Sequence, residues 1–205
     1  WASEYGKDNV VSLLLREGAK INAVDAKKKS ALFYAIAGGS DAAVALLLDA
    51  GAKPMNKLVD GRGEMMIAAA ALSADTASRL LQAGADTALT DKSGHDALWY
   101  AVESGNAGLV RLLLDRYQHI NRTDEDGWSL LHKAATLENP EVAEALLASG
   151  IDVDISAKDG NTPLMIASSK GNARVVKLLV ANGAQIDVKN RVGNTPLILA
   201  VIADS

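Results

Sequence analysis

Cysteine is absent from the 205 residues, which removes disulfides, thiolate metal sites, iron–sulfur clusters and cysteine nucleophiles together and leaves the redox compartment open. Long hydrophobic runs are missing as well. The longest, Met65 to Leu72, spans eight residues, against roughly 20 for a bilayer-crossing helix, so no membrane span is expected. A basic excess is also lacking, because 21 Lys plus Arg against 25 Asp plus Glu give a net charge of −4. That sign is wrong for neutralising phosphates, and no nucleic-acid partner is expected. Aromatic residues are only 4%, so the core must be built from Ala, Leu, Val and Ile in many small, closely packed elements, which favours helices. Hydrophobic content of 49% with 22% charge places the chain among folded soluble proteins. Trp1 to Asp8 lack the basic and apolar regions of a secretory signal.

What is present is a repeat. Gly18, Gly51, Gly84, Gly150 and Gly183 lie on a ladder of period 33, with Tyr117 at the skipped place. A second ladder holds Gly61, Gly94, Gly127, Gly160 and Gly193, with Lys28 at its start. A third is all alanine, from Ala2 through Ala35, Ala68, Ala101, Ala134 and Ala167 to Ala200, and a fourth all leucine, from Leu14 through Leu47, Leu80, Leu113 and Leu146 to Leu179. Four columns in one register, without insertion or deletion, define an internal repeat. The expected organisation is a single array over 1–205, with a partial unit 1–24, full units about 25–57, 58–90, 91–123, 124–156 and 157–189, and a partial unit 190–205.

Each unit reads as two short helices and a turn. In the best-preserved copy Thr162 is an N-cap whose hydroxyl can accept from an orphan helix amide, and Pro163 sits at the first helical position, where its missing N–H costs nothing. The first helix should end at Gly171, which tolerates the left-handed backbone found just past helix ends. A second helix around Arg174 to Ala181 carries Val175, Val176, Leu178, Leu179 and Val180, a stripe wide enough to bury on two neighbours, and Gly183 closes it.

The unit resembles the ankyrin repeat, which carries a Thr-Pro-Leu-His-x-Ala signature in 33 residues. The signature stands here as Thr162-Pro163-Leu164-Met165-Ile166-Ala167, Thr195-Pro196-Leu197-Ile198-Leu199-Ala200 and Ser129-Leu130-Leu131-His132-Lys133-Ala134. After the second helix come Gly18-Ala19-Lys20-Ile21-Asn22, Gly84-Ala85-Asp86-Thr87-Ala88, Gly150-Ile151-Asp152-Val153-Asp154 and Gly183-Ala184-Gln185-Ile186-Asp187. The resemblance implies an all-α solenoid of helix–turn–helix units. Four places depart from the pattern: Lys28, Tyr117, and Leu72 and Glu138 at the glycine position between helices. A left-handed Tyr117 would be strained by roughly 1–2 kcal/mol unless that unit ends its second helix differently. In the third unit Gly63-Glu64-Met65-Met66 replaces the cap motif, so its first helix is expected to be the least stable.

Register places Trp1 inside one first helix and Ser205 shortly after another. Leu197, Ile198, Leu199, Val201 and Ile202 then form an apolar terminal helix, where a polar outer face is needed for solubility. The array is therefore expected to continue beyond both ends or to be capped by another molecule.

Little in the chain carries chemistry. Ser129, His132 and Asp126 can be drawn as a triad, but the Ser and His stand where the repeat uses them to fix a turn, and no strained nucleophile elbow surrounds them. His95 and His119 are scattered, without a two-histidine metal motif. Gly61-Arg62-Gly63 lacks the third glycine of a dinucleotide loop. Asp152 and Asp154 alternate on an extended segment and read as solvated rather than as an acid/base pair. The chain is expected not to be an enzyme, with no catalytic residue, no metal and no cofactor.

The resemblance implies binding of a protein partner through turn tips and the exposed, concave side of the first helices. The positions so assigned are Tyr5, Lys27, Lys29, Arg62, His95, Glu125, Trp128, Leu137, Lys158 and Arg191. Trp128 stands out, because a Trp on a turn that tolerates small polar residues adds nothing evident to the stack, whereas exposed Trp is enriched in hot spots. With Glu125 beside it and Leu137 expected on the adjoining first helix, it would make an apolar anchor with a charged rim, while Lys177 marks the back. A further aromatic column, Trp1, Tyr34 and Tyr100, is read as filler between first helices. Charge is zoned along the tips: Lys27-Lys28-Lys29 basic, Asp124-Glu125-Asp126 acidic, and Lys158, Lys189 and Arg191 basic. The leading function is a non-catalytic protein–protein interaction scaffold; the alternative is the repeat arm of a larger protein, such as a bacterial effector or signalling protein. A soluble chain is expected, with the cytoplasm the favoured setting.

Overall fold

The computed structural model describes residues 8–54, 62–71, 73–117 and 119–203. Among these the regular structure is helical: α1 (Asp8–Arg16), α2 (Ala31–Ala37), α3 (Asp41–Asp49), α4 (Glu64–Ala71), α5 (Ala74–Gln82), α6 (Ala97–Glu103), α7 (Ala107–Leu114), α8 (Leu130–Ala135), α9 (Pro140–Ala148), α10 (Pro163–Ser169), α11 (Ala173–Ala181) and α12 (Pro196–Ala203). None is long and apolar enough to cross a membrane. The chain falls into two compact units, Trp1–Ser104 and Gly105–Ser205.

Caps start the helices where the repeat puts them. Ser30, Asp96 and Thr162 accept from the N–H of Phe33, Trp99 and Met165, and Thr195 Oγ1 accepts from Ile198 N–H at 3.3 Å; each occupies an otherwise orphan amide. Pro163 and Pro196 open α10 and α12. Second helices are capped in the same way by Ser40, Ser73, Asn106, Asn139 and Asn172.

Within the first unit the first helices α2, α4 and α6 pack in sequence, and so do the second helices α1, α3 and α5. In the second unit α8, α10 and α12 form one row and α7, α9 and α11 the other. Between the rows lies the core. Ala35, Ala68, Ala101, Ala134 and Ala167 are wholly buried, because a methyl group is the largest side chain that lets paired helices approach at this point. Leu47, Leu80, Leu113, Leu146 and Leu179 fill the space beside them.

Among the described residues the tips at 25–29, 91–95, 124–128, 157–161 and 190–194 are tight five-residue turns, each closed by two main-chain bonds. Gly127 N–H donates to Asp124 and Asp124 N–H to the Trp128 carbonyl; the same pair recurs at Gly160 and Gly193. The geometry demands positive φ at its fourth residue, which explains the glycine ladder, and Lys28 adopts it with φ 58° as the only non-glycine among the described residues to do so. Tyr117 escapes the strain of a left-handed backbone. α7 stops at Leu114, and Arg116 and Tyr117 N–H turn to the Leu113 and Leu114 carbonyls, tightening the last turn.

Candidate functional site

The tips are more than exposed loops. In the second unit Lys158 N–H donates to the Asp126 carbonyl and Arg191 N–H to the Asp159 carbonyl, both at 3.0 Å, so consecutive tips are hydrogen-bonded into a ribbon. The fit is close: a Cβ at Gly127 would meet Lys158 N at 2.8 Å, and one at Gly160 would meet Arg191 N at 2.9 Å. Asn190 Nδ2 also donates to Asn161 Oδ1 at 2.8 Å.

His132 locks this ribbon to the helices. Its ring is fully buried; Nδ1 lies 3.1 Å from Ser129 N–H and 2.9 Å from Ser129 Oγ, and Nε2 lies 2.9 Å from the Asn161 carbonyl. Ser129 N–H can only donate, so Nδ1 accepts and Nε2 carries the proton. That neutral tautomer agrees with burial, which pushes the imidazole below its ordinary value despite the opposing Asn161 bond and the nearby Asp159 and Asp124. Ser129 is buried too, and the ring nitrogen a triad would turn toward an acid is held by a main-chain carbonyl. The pair therefore serves as a capping box, with His in the role usually taken by Glu or Gln.

Acidic residues inside the tips are committed to the turn. Asp25, Asp91 and Asp124 each accept two backbone N–H groups, from Lys27 and Lys29, from Ser93 and His95, and from Asp126 and Trp128. Tyr34 Oη donates to Asp25 at 2.7 Å and Tyr100 Oη to Asp91 at 2.8 Å. The N–H of Lys29, then the Tyr34 hydroxyl, hold the Asp25 carboxyl below its ordinary value. Burial pushes Asp91 up, but the bonds from Tyr100, His95 and Ser93 outweigh it and leave it lowered. Tyr100 is pushed up to about 12 by burial and by Asp91. The two tyrosines thus brace their tips, a more specific role than filler between helices. Asp154, read from sequence as solvated, instead accepts from Gln185 N–H of the next repeat at 3.0 Å.

Tip side chains form a row. Lys29, Arg62 and His95 each stand two residues before α2, α4 and α6, which pack side by side in the first unit. Helix spacing puts them about 8–10 Å apart. Trp128, Asn161 and Asn194 hold the same place before α8, α10 and α12, with Glu125, Lys158 and Arg191 three residues earlier in those tips. Lys27, Arg62, Glu125, Lys158 and Arg191 are exposed, and Lys29, His95 and Trp128 half-buried; Tyr5 lies outside the described residues. Lys27 occupies the register of Asp126 rather than of Lys158.

Sequence reasoning missed a pairing across this row. In three tips the residue after the positive-φ position covers the side chain four positions on: Lys29 Nζ lies 4.3 Å from the Phe33 ring centre, His95 stacks on Trp99 at 4.0 Å and 7°, and Trp128 lies 5.7 Å from His132. Trp128 therefore packs locally on the fold, one of the two roles, partner contact or local packing, that its sequence position leaves open. The signal was available in two columns that exchange aromatic and cationic residues between repeats. A second correction concerns Leu137. It is not on the first helix: α8 ends at Ala135, because Thr136 and Leu137 N–H bond to the Lys133 and Ala134 carbonyls and Thr136 Oγ1 caps Lys133. Half-buried in the link to α9, it lies a helix length, about 9 Å, from the tip, so Trp128 and Leu137 do not form one anchor. Lys177, taken from sequence to mark the back, lines a groove beside α12.

Known proteins resemble the whole of this arrangement. Sequence profiles described as ankyrin repeats (3 copies) and ankyrin repeats (many copies) match residues 1–58 and 65–157, and residues 146–200. The human ASB11 ankyrin repeat domain is 27% identical, with 97% of this chain and 89% of that one covered and a TM-score of 0.84. The ankyrin repeat domain of Bcl-3, described as a unique member of the IkappaB protein family, is 28% identical, with 97% and 91% covered and a TM-score of 0.75. No curated protein matches the chain at a significant level.

Proposed function

The chain belongs to the ankyrin repeat family, and we propose that it is a non-catalytic scaffold that binds a protein partner through its turn tips and the concave, first-helix side. Ankyrin repeat domains are generally protein-interaction modules. The observation that carries the reading here is the division of labour in the tips. Main-chain bonds, Asp124 and His132 hold the ribbon, while Glu125, Lys158 and Arg191 are exposed on it. A rigid frame carrying side chains that the fold does not consume lowers the ordering cost of binding and leaves those side chains to select the partner. The alternating acidic and basic tips favour a partner of opposite pattern.

Both similar structures are themselves described as domains, which supports a second reading in which this chain is the repeat arm of a larger protein. Site-specific photo-crosslinking separates a tip site from others: a reactive group at Lys158 should capture the partner, and one at Glu144 on the back should not. Capture from Glu144 alone refutes the tip assignment.

A further inference from the structure

The tip at 25–29 differs from the other described tips at one backbone position. Where Gly94, Gly127, Gly160 and Gly193 take the positive φ, it holds Lys28 at φ 58°, a conformation in which a Cβ crowds the neighbouring carbonyl. Glycine would serve the turn without that crowding. The main chain gains nothing from the lysine, since Lys28 N–H on the Asp25 carbonyl and Asp25 N–H on the Lys29 carbonyl are the same two bonds that close the other tips. A strained residue that its turn does not need points to a use outside the turn.

Lys28 stands between two more lysines. Among the described residues Lys27, Lys28, Lys29 and Lys92 make no ion pair, and the tip carboxylates are already committed. Asp25 Oδ1 accepts from Lys27 and Lys29 N–H and its Oδ2 from Tyr34 Oη; Asp91 is held in the same way by Ser93, His95 and Tyr100. Glu64 and Asp96, at the starts of α4 and α6, are buried. Lys29 is also held in place, with Nζ 4.3 Å from the Phe33 ring centre and 5.9 Å from that of Tyr34, so this cation is ordered before anything binds. Arg62, exposed in the column of Lys29 one repeat on, brings its charge close enough to act on the Tyr100 hydroxyl of α6.

This exposure does not arise from the edge of the array. Ser93, Asp126 and Asp159 share the column of Lys27 at interior tips and are exposed too, and His95, Trp128 and Asn161 in the column of Lys29 are half-buried as it is.

The spacing and charge describe a ligand. Lys29 and Arg62 are one helix spacing apart, about 8–10 Å, a distance that an extended chain covers in about three residues. The chain as a whole carries −4, which repels a long polyanion such as DNA or an anionic bilayer, whereas a short acidic segment meets only the basic row.

We propose that Lys27, Lys28, Lys29 and Arg62 bind an extended acidic segment of a partner protein, with carboxylates about three residues apart lying along the tips of the first unit. This site presupposes that the tips bind a protein partner and gives that partner its chemistry.

Fluorescence anisotropy with a labelled Gly-Ser peptide carrying Asp at about every third position, in low salt, tests it. The parent should bind this probe and should not bind the same peptide with Lys in place of Asp. Lys28→Gly discriminates most sharply: it should weaken binding roughly threefold without lowering the melting temperature, because glycine relieves the strained turn. Lys27→Gln should weaken binding by a similar factor. Arg174→Gln, at an exposed site on α11 with the same change in net charge, should leave it unaltered. Unchanged binding in Lys28→Gly, or a melting temperature that falls with the substitution, assigns Lys28 to the fold and overturns the proposal. DNA or phosphatidylserine vesicles held as tightly as the peptide, with the same loss in Lys28→Gly, overturn the acidic segment as ligand. A partner captured by crosslinking at Lys158, while the parent holds no acidic peptide, removes this site and leaves the tip reading standing; capture from Glu144 alone removes the tip reading itself.

Discussion

The imidazole of His132, in the first helix of one repeat, reaches the main-chain carbonyl of Asn161 at the tip of the next, with Nε2 2.9 Å from the oxygen. One uncharged ring thereby holds a helix start and a neighbouring turn together. Burial lowers its pKa from the ordinary 6.5, so between the folded and unfolded values the unfolded chain binds more protons. The His132 contribution to stability is full above about pH 6.5 and is lost as pH falls through that value toward the folded one. Urea unfolding of parent and His132→Gln from pH 7.5 to pH 5 should show the variant less stable by about 1–3 kcal/mol at pH 7.5, with the gap narrowing on acidification. Parallel profiles would remove His132 from the pH dependence.

Asp96 should show the opposite sign. It is the N-cap of α6, accepts from Trp99 N–H at 2.9 Å, and stands where Thr162 and Thr195 stand in later repeats. Burial raises its pKa from 3.8 to about 6, against the Trp99 and Leu98 bonds. A folded value above the unfolded one means that Asp96 is least unfavourable below pH 3.8 and that stability is lost as pH rises through about 6. Asp96→Thr keeps the cap and drops the buried charge, so it should gain about 1–3 kcal/mol at pH 7.5 and little at pH 4. A loss at pH 7.5 would mean that the carboxylate is needed there.

The hydrogen-bonded ribbon predicts unequal costs for equal substitutions. Gly127 and Gly193 have φ of 81° and 88°, so alanine at either meets a similar backbone strain of roughly 1–2 kcal/mol. Only Gly127 also has the next tip against it, with nothing within 4 Å of a Cβ at Gly193. Gly127→Ala should therefore cost about 1–3 kcal/mol more than Gly193→Ala, as read by chemical unfolding; equal costs would contradict the tip-to-tip packing.

Leu113 is wholly buried whereas Leu14, in the same column, is 51% exposed. Leu113→Ala should cost roughly 2–5 kcal/mol through lost burial and a cavity, and Leu14→Ala roughly 0.5 kcal/mol or less. A loss below about 1 kcal/mol at Leu113 would place that column off the core.

Much of this was legible in the chain because one burial environment recurs every 33 residues. Ala134 and Leu146 could be assigned to the core from their columns alone, and Thr162 and Pro163 to a helix start from their chemistry. What escaped were bonds whose two ends each have an ordinary explanation: an Asp in a turn and a Tyr on a helix are unremarked separately, and only the geometry joins Asp25 to Tyr34 and Asp91 to Tyr100. Tyr117 and Leu137 escaped for a related reason. Where the helix-ending glycine is replaced, the last turn tightens instead, and which residue leaves the helix depends on that local choice rather than on the repeat.

The central claim, that the tips bind the partner, is tested most directly by titration calorimetry with the partner recovered by crosslinking. Trp128 is half-buried against His132, so Trp128→Ala is to be measured well below its own melting temperature, beside Lys158→Glu at an exposed tip and Glu144→Ala on an exposed site of α9. Trp128→Ala and Lys158→Glu should each weaken binding by at least about 1 kcal/mol, and Glu144→Ala should leave it unchanged. Unchanged affinity in both tip variants, with a loss confined to Glu144→Ala, would contradict the account and move the interface to the second helices.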